Sequence, residues 1–444
     1  MAETLRSPET EISHRRVLKV AVPIVLSNAT VPILGAVDTG VVGQMGQAAP
    51  IGAVGIGAVI LATIYWIFGF LRMGTTGLAA QAKGAGDNAE MGAILSRGLL
   101  IAAVAGVSMI VAQGGVFWAA FAIAPASQEV ETLARDYLQI RIWGAPATIG
   151  LYAITGWLIA IERTRQVFVL QIWMNGINII LDLSFVLGLG WGVGGVATAT
   201  LIAEWSGFAL GLWFCREAFV GRQRHDWARV WDPQRLRRMA QVNADIMIRS
   251  VLLTGSFTAF LFIGADLGDV TLAANQVLLQ FIEITAFAMD GFAFTAEAMV
   301  GSALGAKSRA DFRRASLLSS QWAAGTAIVL AAFFALAGGG LIGLMSTSEE
   351  VREAGRTYLI WVAVLPLVSV ASYMLDGIFI GATWTRDMRI AMIQSVSLYC
   401  IAVVLLVPLL GNHGLWAALM VLNVARGVTL GLRYPRLEAS IGRT

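Results

Sequence analysis

Twelve predominantly apolar runs, each long enough to cross a bilayer, constrain this chain more than any other feature. A spanning helix needs about 20 such residues. The runs fall at 17–43, 51–82, 92–118, 129–160, 166–188, 193–215, 236–263, 270–301, 312–343, 349–381, 388–409 and 413–433. Several exceed the minimum, which predicts tilted or kinked helices. Composition agrees: 57% of residues are hydrophobic and 13% charged, against roughly 25% charged in soluble domains. Glycine contributes 48 of 444 residues, and small residues let helix backbones approach closely in lipid. This pattern excludes a secreted disulfide scaffold, a disordered tail and a nucleic-acid binder. Cys215 and Cys400 are the only cysteines and stand far apart, so no disulfide framework or zinc spacing is available. Residues 1–16 are polar and the first run is too long for a signal core, so no cleavable signal is expected.

The basic residues predict orientation. With the N-terminus in the cytoplasm, the inner segments hold 24 of the 31 Lys and Arg. The short outer loops near 44–50, 119–128, 189–192, 264–269, 344–348 and 410–412 hold none. The positive-inside rule therefore places both termini and the Arg216–Arg235 linker on the cytoplasmic side. That linker follows six spans, and it predicts three parts: an N-terminal lobe at 1–215, the linker at 216–235 and a C-terminal lobe at 236–444.

The two halves repeat at an offset of about 221 residues. The stretch Ser127–Leu138 matches Ser348–Leu359 at six positions. Tyr152, Gly156, Thr164 and Arg165 match Tyr373, Gly377, Thr385 and Arg386. Six spans per repeat is an even number, so both repeats run the same way. The expected fold is an all-α membrane protein, with twelve transmembrane helices in two pseudo-symmetric six-helix bundles around a central cavity. Parallel repeats of this kind belong to secondary transporters.

Charges within spans are costly and functional by default. Asp38 in the first span and Asp182 in the fifth lie at similar distances from the outer ends of their helices. Asn178 shares the face of Asp182 at i,i+4, and Thr198 and Thr200 enter early in the sixth span. Two buried carboxylates that face each other repel, and taking up a proton or a small cation relieves that repulsion. Pro23 and Pro32 weaken the first span by removing backbone hydrogen bonds, which makes it the expected hinge. In the C-terminal half, Asp245 and Arg249 stand at i,i+4 as a natural ion pair, and Arg249 and Arg426 are positioned to neutralise Asp290 and Asp376. This group reads as a structural network or a second cation site. Glu204, Arg72 and Arg141 are further embedded charges, and the sequence leaves open whether Glu204 pairs with Arg72.

The Val37–Gly40 stretch, Asn178-x-x-x-Asp182 and the Gly192–Ala197 run resemble those of multidrug and toxic compound extrusion (MATE) transporters. The Gln241–Arg249 stretch and the Thr164-Arg165 and Thr385-Arg386 loops are similar to the DNA-damage-inducible F (DinF-like) branch. The resemblance covers essentially the whole chain. It implies a secondary active multidrug efflux transporter of a bacterial inner membrane, not an enzyme. Such a transporter exports amphiphilic, often cationic organic compounds by antiport with H⁺, or alternatively Na⁺, through alternating access. It implies a cation-coupling site at Asp38, Asn178, Asp182 and Thr200, with Thr200 preferred to Thr198. Asp376 answers to an acid that another branch uses, although Arg249 nearby argues against a cation site there. No cofactor and no nucleic acid are implied, the partners are small molecules and membrane lipids, and the chain is expected to act as a monomer. A lipid-linked sugar flippase of the same architecture is the alternative, distinguished by an expected basic cavity. No Asp-Asp-x-x-Asp motif and no Gly-x-x-x-x-Gly-Lys-Ser/Thr loop occur, so neither a metal-dependent transferase nor direct use of ATP is expected.

Overall fold

The computed structural model describes residues 11–44, 48–123, 127–220 and 226–442, with backbone only at a few positions that include Asp38. Among the described residues there is no strand. Eleven helical stretches among the described residues are long and apolar enough to cross a membrane, starting with Ala48–Gly84 and ending with Asn412–Ser440. The twelfth span is the first in the chain. It is split into α1 (His14–Ala29) and α2 (Val31–Gly43) at Thr30. Pro32 sits in the first turn of α2, where a missing amide hydrogen costs nothing. The kink expected near Pro32 takes the form of a one-residue interruption at Thr30, whereas Pro23 is accommodated inside α1.

The second span consists of α3 (Ala48–Ile67) and α4 (Phe70–Gly84). The third is α5 (Asn88–Val111), followed by a separate α6 (Gln113–Ile123) that the apolar pattern merges with it. The fourth consists of α7 (Gln128–Arg141) and α8 (Ala145–Ala160), joined by a short 3₁₀ turn at Ile142–Gly144. Next come α9 (Thr164–Asp182) and α10 (Gly192–Phe214). A short α11 (Trp227–Val230) precedes α12 (Pro233–Asp266), α13 (Asp269–Gly305), α14 (Arg309–Met345), α15 (Glu349–Gly381), α16 (Thr385–Leu410), α17 (Asn412–Gly431) and α18 (Tyr434–Ser440). Large apolar side chains such as Val59, Phe262, Leu336 and Leu344 point outward and are mostly exposed. Bare apolar surface of this extent suits lipid rather than water.

Two compact units emerge. One combines Leu26–Asn243; the other joins the described part of Met1–Val25 to Ala244–Thr444. In the first unit the start of α12 packs on α4, where a Cβ at Gly74 would stand 2.0 Å from Asn243 Oδ1. In the second, α1 packs on α13, where a Cβ at Gly291 would stand 2.3 Å from Val25 Cγ2. The core of this second unit is built on edge-on ring pairs, Phe260 with Trp416 and Phe281 with Phe334.

The sequence repeat is visible in local geometry. Gly156 lies against the Arg72 carbonyl and Gly377 against the Ala293 carbonyl, so close that a Cβ would approach to 2.4 and 2.5 Å. Both members of each contact are 221 residues from their counterparts. Left-handed turns recur at the same offset, at Gly86 and Lys307 and at Glu162 and Thr383. Helix caps do too: Asp87 accepts from the Glu90 amide at 3.0 Å and Ser308 from the Asp311 amide at 3.3 Å. The chain is therefore an all-α membrane protein of two pseudo-symmetric six-span halves.

The linker is anchored to the start of α5. Arg97 is buried and donates to the carbonyls of Arg229 and Val230 at 2.6 and 3.1 Å. Arg229 forks onto both oxygens of Asp87 at 2.8 Å. Arg97 and Arg235 both reach Glu90.

Candidate functional site

The inward face of α9 carries Gln171, Asn175, Asn178 and Asp182 at spacings of four, three and four residues. Such spacing keeps all four on one helical stripe. Asn175, Asn178 and Asp182 are buried, Asp182 completely. Asn178 Nδ2 donates to Thr200 Oγ1 of α10 at 3.1 Å, and that hydroxyl donates in turn to the Val196 carbonyl at 2.9 Å. Thr198 instead turns its hydroxyl onto the Gly194 carbonyl at 2.7 Å. Of the two threonines, Thr200 is the one that meets Asn178. The Asn178 Oδ1 is buried and accepts no hydrogen bond among the described residues. The side chain of Asp38 lies outside the described residues, and only its place in α2 is given.

Two backbone irregularities border this stripe. Immediately after Asp182 the helix widens into a π turn, Leu183–Gly188. Such turns cost backbone geometry and occur frequently at functional sites. At the other border, Asn175 Nδ2 donates to the Thr30 carbonyl at 3.4 Å, at the break between α1 and α2. Gln171 supports Asn175 through a 2.9 Å bond to its Oδ1. The sequence reading did not single out Asn175, although its three-residue spacing from Asn178 placed it on the same stripe.

One turn further along α10 from Thr200, Glu204 meets Arg141 of α7 in a two-pronged ion pair of 2.6 and 2.8 Å. Both residues are buried. Glu204 therefore pairs with Arg141, and Gly144 leaves room for it: a Cβ there would stand 2.3 Å from Glu204 Oε2. Tyr65 donates to the Arg141 carbonyl at 3.4 Å, tying α3 to the same point.

In the other unit the expected Asp245–Arg249 pair does not form. Arg249 reaches across to Asp376 of α15, and Arg426 of α17 binds the same carboxylate oxygen at 2.5 Å. Asp245 is held instead by Arg389 at 2.6 Å and by the Thr385 hydroxyl at 3.0 Å. The reason is geometric. An i,i+4 pair on one helix competes with partners on neighbouring helices, and here two guanidiniums converge on one buried acid while Asp245 faces the basic start of α16. Asp290 is half-buried on α13. Met289 and Phe292 of the same helix are packed in the helical core.

Two parallel six-span halves, with polar groups held inside the membrane, are the architecture of a polytopic membrane transporter. The family model described as MatE matches residues 23–183 and 246–406, once in each half. The chain belongs to this family. It is 35% identical over 426 residues to DNA damage-inducible protein F of Escherichia coli strain K12, covering 96% of this chain and 92% of that protein. This is the DinF-like branch indicated by its loops. A probable multidrug resistance protein NorM of a Synechococcus strain is 26% identical over 84% of this chain and 81% of its own length. Among solved structures, the Vibrio cholerae MATE transporter VcmN in its bent form superposes with a TM-score of 0.86 at 20% identity, covering 97% and 98% of the two chains. An outward-facing multidrug resistance MATE family transporter of the MOP superfamily gives 0.85 at 17% identity over 97% of each chain.

Proposed function

We propose that this transporter exports amphiphilic organic compounds, cationic ones among them, by antiport with H⁺, with Na⁺ as the alternative coupling ion. The exchanging carboxylates in this reading are Asp38 and Asp182, and Asn178 and Thr200 are neutral ligands. The observation that carries it is the α9 stripe. Asp182 is fully buried at the entrance to a π turn, one helical turn from an amide already engaged with Thr200. Relatives named as multidrug resistance proteins support the cargo class.

The mechanism follows from charge. A buried carboxylate carries a desolvation penalty that a bound proton removes. The change is felt at the Thr30 break through Asn175, so occupancy of the stripe biases how α1 and α2 meet. A proton moving down the membrane potential releases about 2.3 kcal/mol per 100 mV, which supports a concentration ratio of a few tens for a neutral cargo. The double guanidinium clamp on Asp376 supports a structural role for the Asp245, Arg249, Asp290 and Asp376 group. In this reading the protein acts as a monomer in a bacterial inner membrane. Its lobes are 1–215 and 236–444, with both termini and the 216–235 linker cytoplasmic.

Purified protein in proteoliposomes tests this. An imposed pH gradient is expected to drive extrusion of a fluorescent organic cation, and Asp182→Asn to abolish the response while leaving binding of the dye. Extrusion that ignores both pH and Na⁺ gradients rejects the proposal.

A further inference from the structure

We propose that a groove beside the start of α14 is a binding site for the headgroup and upper acyl chain of an anionic phospholipid. The groove encloses about 700 Å³ and lies wholly within the second unit. That volume falls within the roughly 300–1,000 Å³ of small-ligand sites. Its lining includes Arg309, Arg313, Arg314, Leu317, Leu318 and Glu438. The far wall is α18, held against α14 by packing of Tyr434 on Phe312 at 5.9 Å between ring centres.

The lining is polarised along the helix. The three arginines occupy the first turns of α14, and Leu317 and Leu318 follow one turn further into the span on the same ridges, i+4 from Arg313 and Arg314. Leu317 is 52% exposed. A cationic mouth above an apolar floor, at the end of a membrane span, is complementary to an amphiphile with an anionic head. The charge count makes the same point. Arg309 is paired with Glu438 at 3.1 Å and Arg314 with Glu11 at 2.7 Å. Arg313 is exposed and makes no ion pair among the described residues. Two carboxylates against three guanidiniums leave one positive charge at the mouth, between two arginines with donors to spare. A phosphate diester supplies the missing anion, and its acyl chain covers Leu317.

The site is separate from the α9 stripe and does not depend on the direction or coupling of transport. Native mass spectrometry of the full-length protein, released from detergent after titration with phosphatidylglycerol or phosphatidylcholine, tests it. Phosphatidylglycerol is expected to be retained in preference. Arg313→Gln is expected to weaken its retention about fivefold, the factor for loss of one basic side chain near anionic lipid. Leu317→Gln is expected to weaken both lipids. Arg436→Gln, an exposed arginine on α18 outside the groove lining, is expected to change neither. Arg313→Lys keeps the charge and is expected to keep the preference for phosphatidylglycerol. Equal retention of the two lipids by wild type, or an unchanged preference in Arg313→Gln, overturns the proposal. So does displacement of the lipid by inorganic phosphate alone, which marks a site for the free ion.

Discussion

Removing Glu204 strands the Arg141 guanidinium among buried groups, and the cost can be worked from the geometry. Two unit charges about 4 Å apart attract by about 4 kcal/mol at an effective dielectric of 20, and this pair is two-pronged at 2.6 and 2.8 Å. Deleting one member of a buried pair typically costs about 3–5 kcal/mol. Glu204→Leu and Arg141→Met are therefore each expected to lower stability by about 3 kcal/mol. The double variant has no stranded charge and is expected to recover to within about 1 kcal/mol of wild type. The assay is a double-mutant cycle on reversible unfolding in mixed micelles, following helicity. The reasoning is refuted if the single variants lose less than about 1 kcal/mol, or if the double variant loses the sum of the two. Gly144→Ala is a geometric control. Its methyl group would press on Glu204 Oε2 at 2.3 Å, so it is expected to destabilise the pair without removing a charge.

The linker anchor gives a pH prediction. Burial pushes the Asp87 carboxyl up, but the Glu90 amide and the Arg229 guanidinium outweigh it and hold the group below the usual value of 3.8. A depressed folded-state value means the anchor's contribution is complete above about pH 4 and is lost as pH falls through the folded value. Protection of the Ala228–Trp231 amides, measured against their intrinsic exchange rates, should thus be constant from about pH 8 to 5 and fall below about 4, and Asp87→Asn should show the lowered protection at neutral pH. Asp376→Asn leaves two arginines facing a neutral amide and is expected to lower thermal stability by about 3 kcal/mol. The ion-to-cargo ratio, measured by paired flux assays in the surviving protein, is expected to be unchanged. Pro32→Ala restores an amide at the start of α2 and is expected to slow transport without weakening dye binding. Cysteines placed at Ser127 and Ala228 should be labelled from outside the cell and only after permeabilisation, respectively.

Spans and repeat were legible because lipid leaves the backbone no alternative to helices and because a duplicated chain keeps its turns, caps and tight glycine contacts at one offset. That Thr200 rather than Thr198 meets Asn178 follows from how α9 and α10 cross at that depth. The pairing of Arg249 was not legible. Spacing along α12 reports which residues share a face, whereas the partner is decided by α15 and α17, which bring Asp376 and Arg426 alongside. Glu204 and Arg141 are 63 residues apart, and nothing local joins them. The π turn after Asp182 carries no proline or glycine at its start, so it leaves no mark that pattern reading could find.

Coupling at the α9 stripe is tested most directly by recording proton entry and dye extrusion in the same proteoliposomes, for wild type and for Asp38→Asn/Asp182→Asn. Wild type should show dye-dependent proton movement, and the double variant should bind dye yet show neither gradient-driven extrusion nor dye-dependent proton flux. Normal coupled exchange by the double variant would contradict the account and move the coupling site elsewhere in the protein.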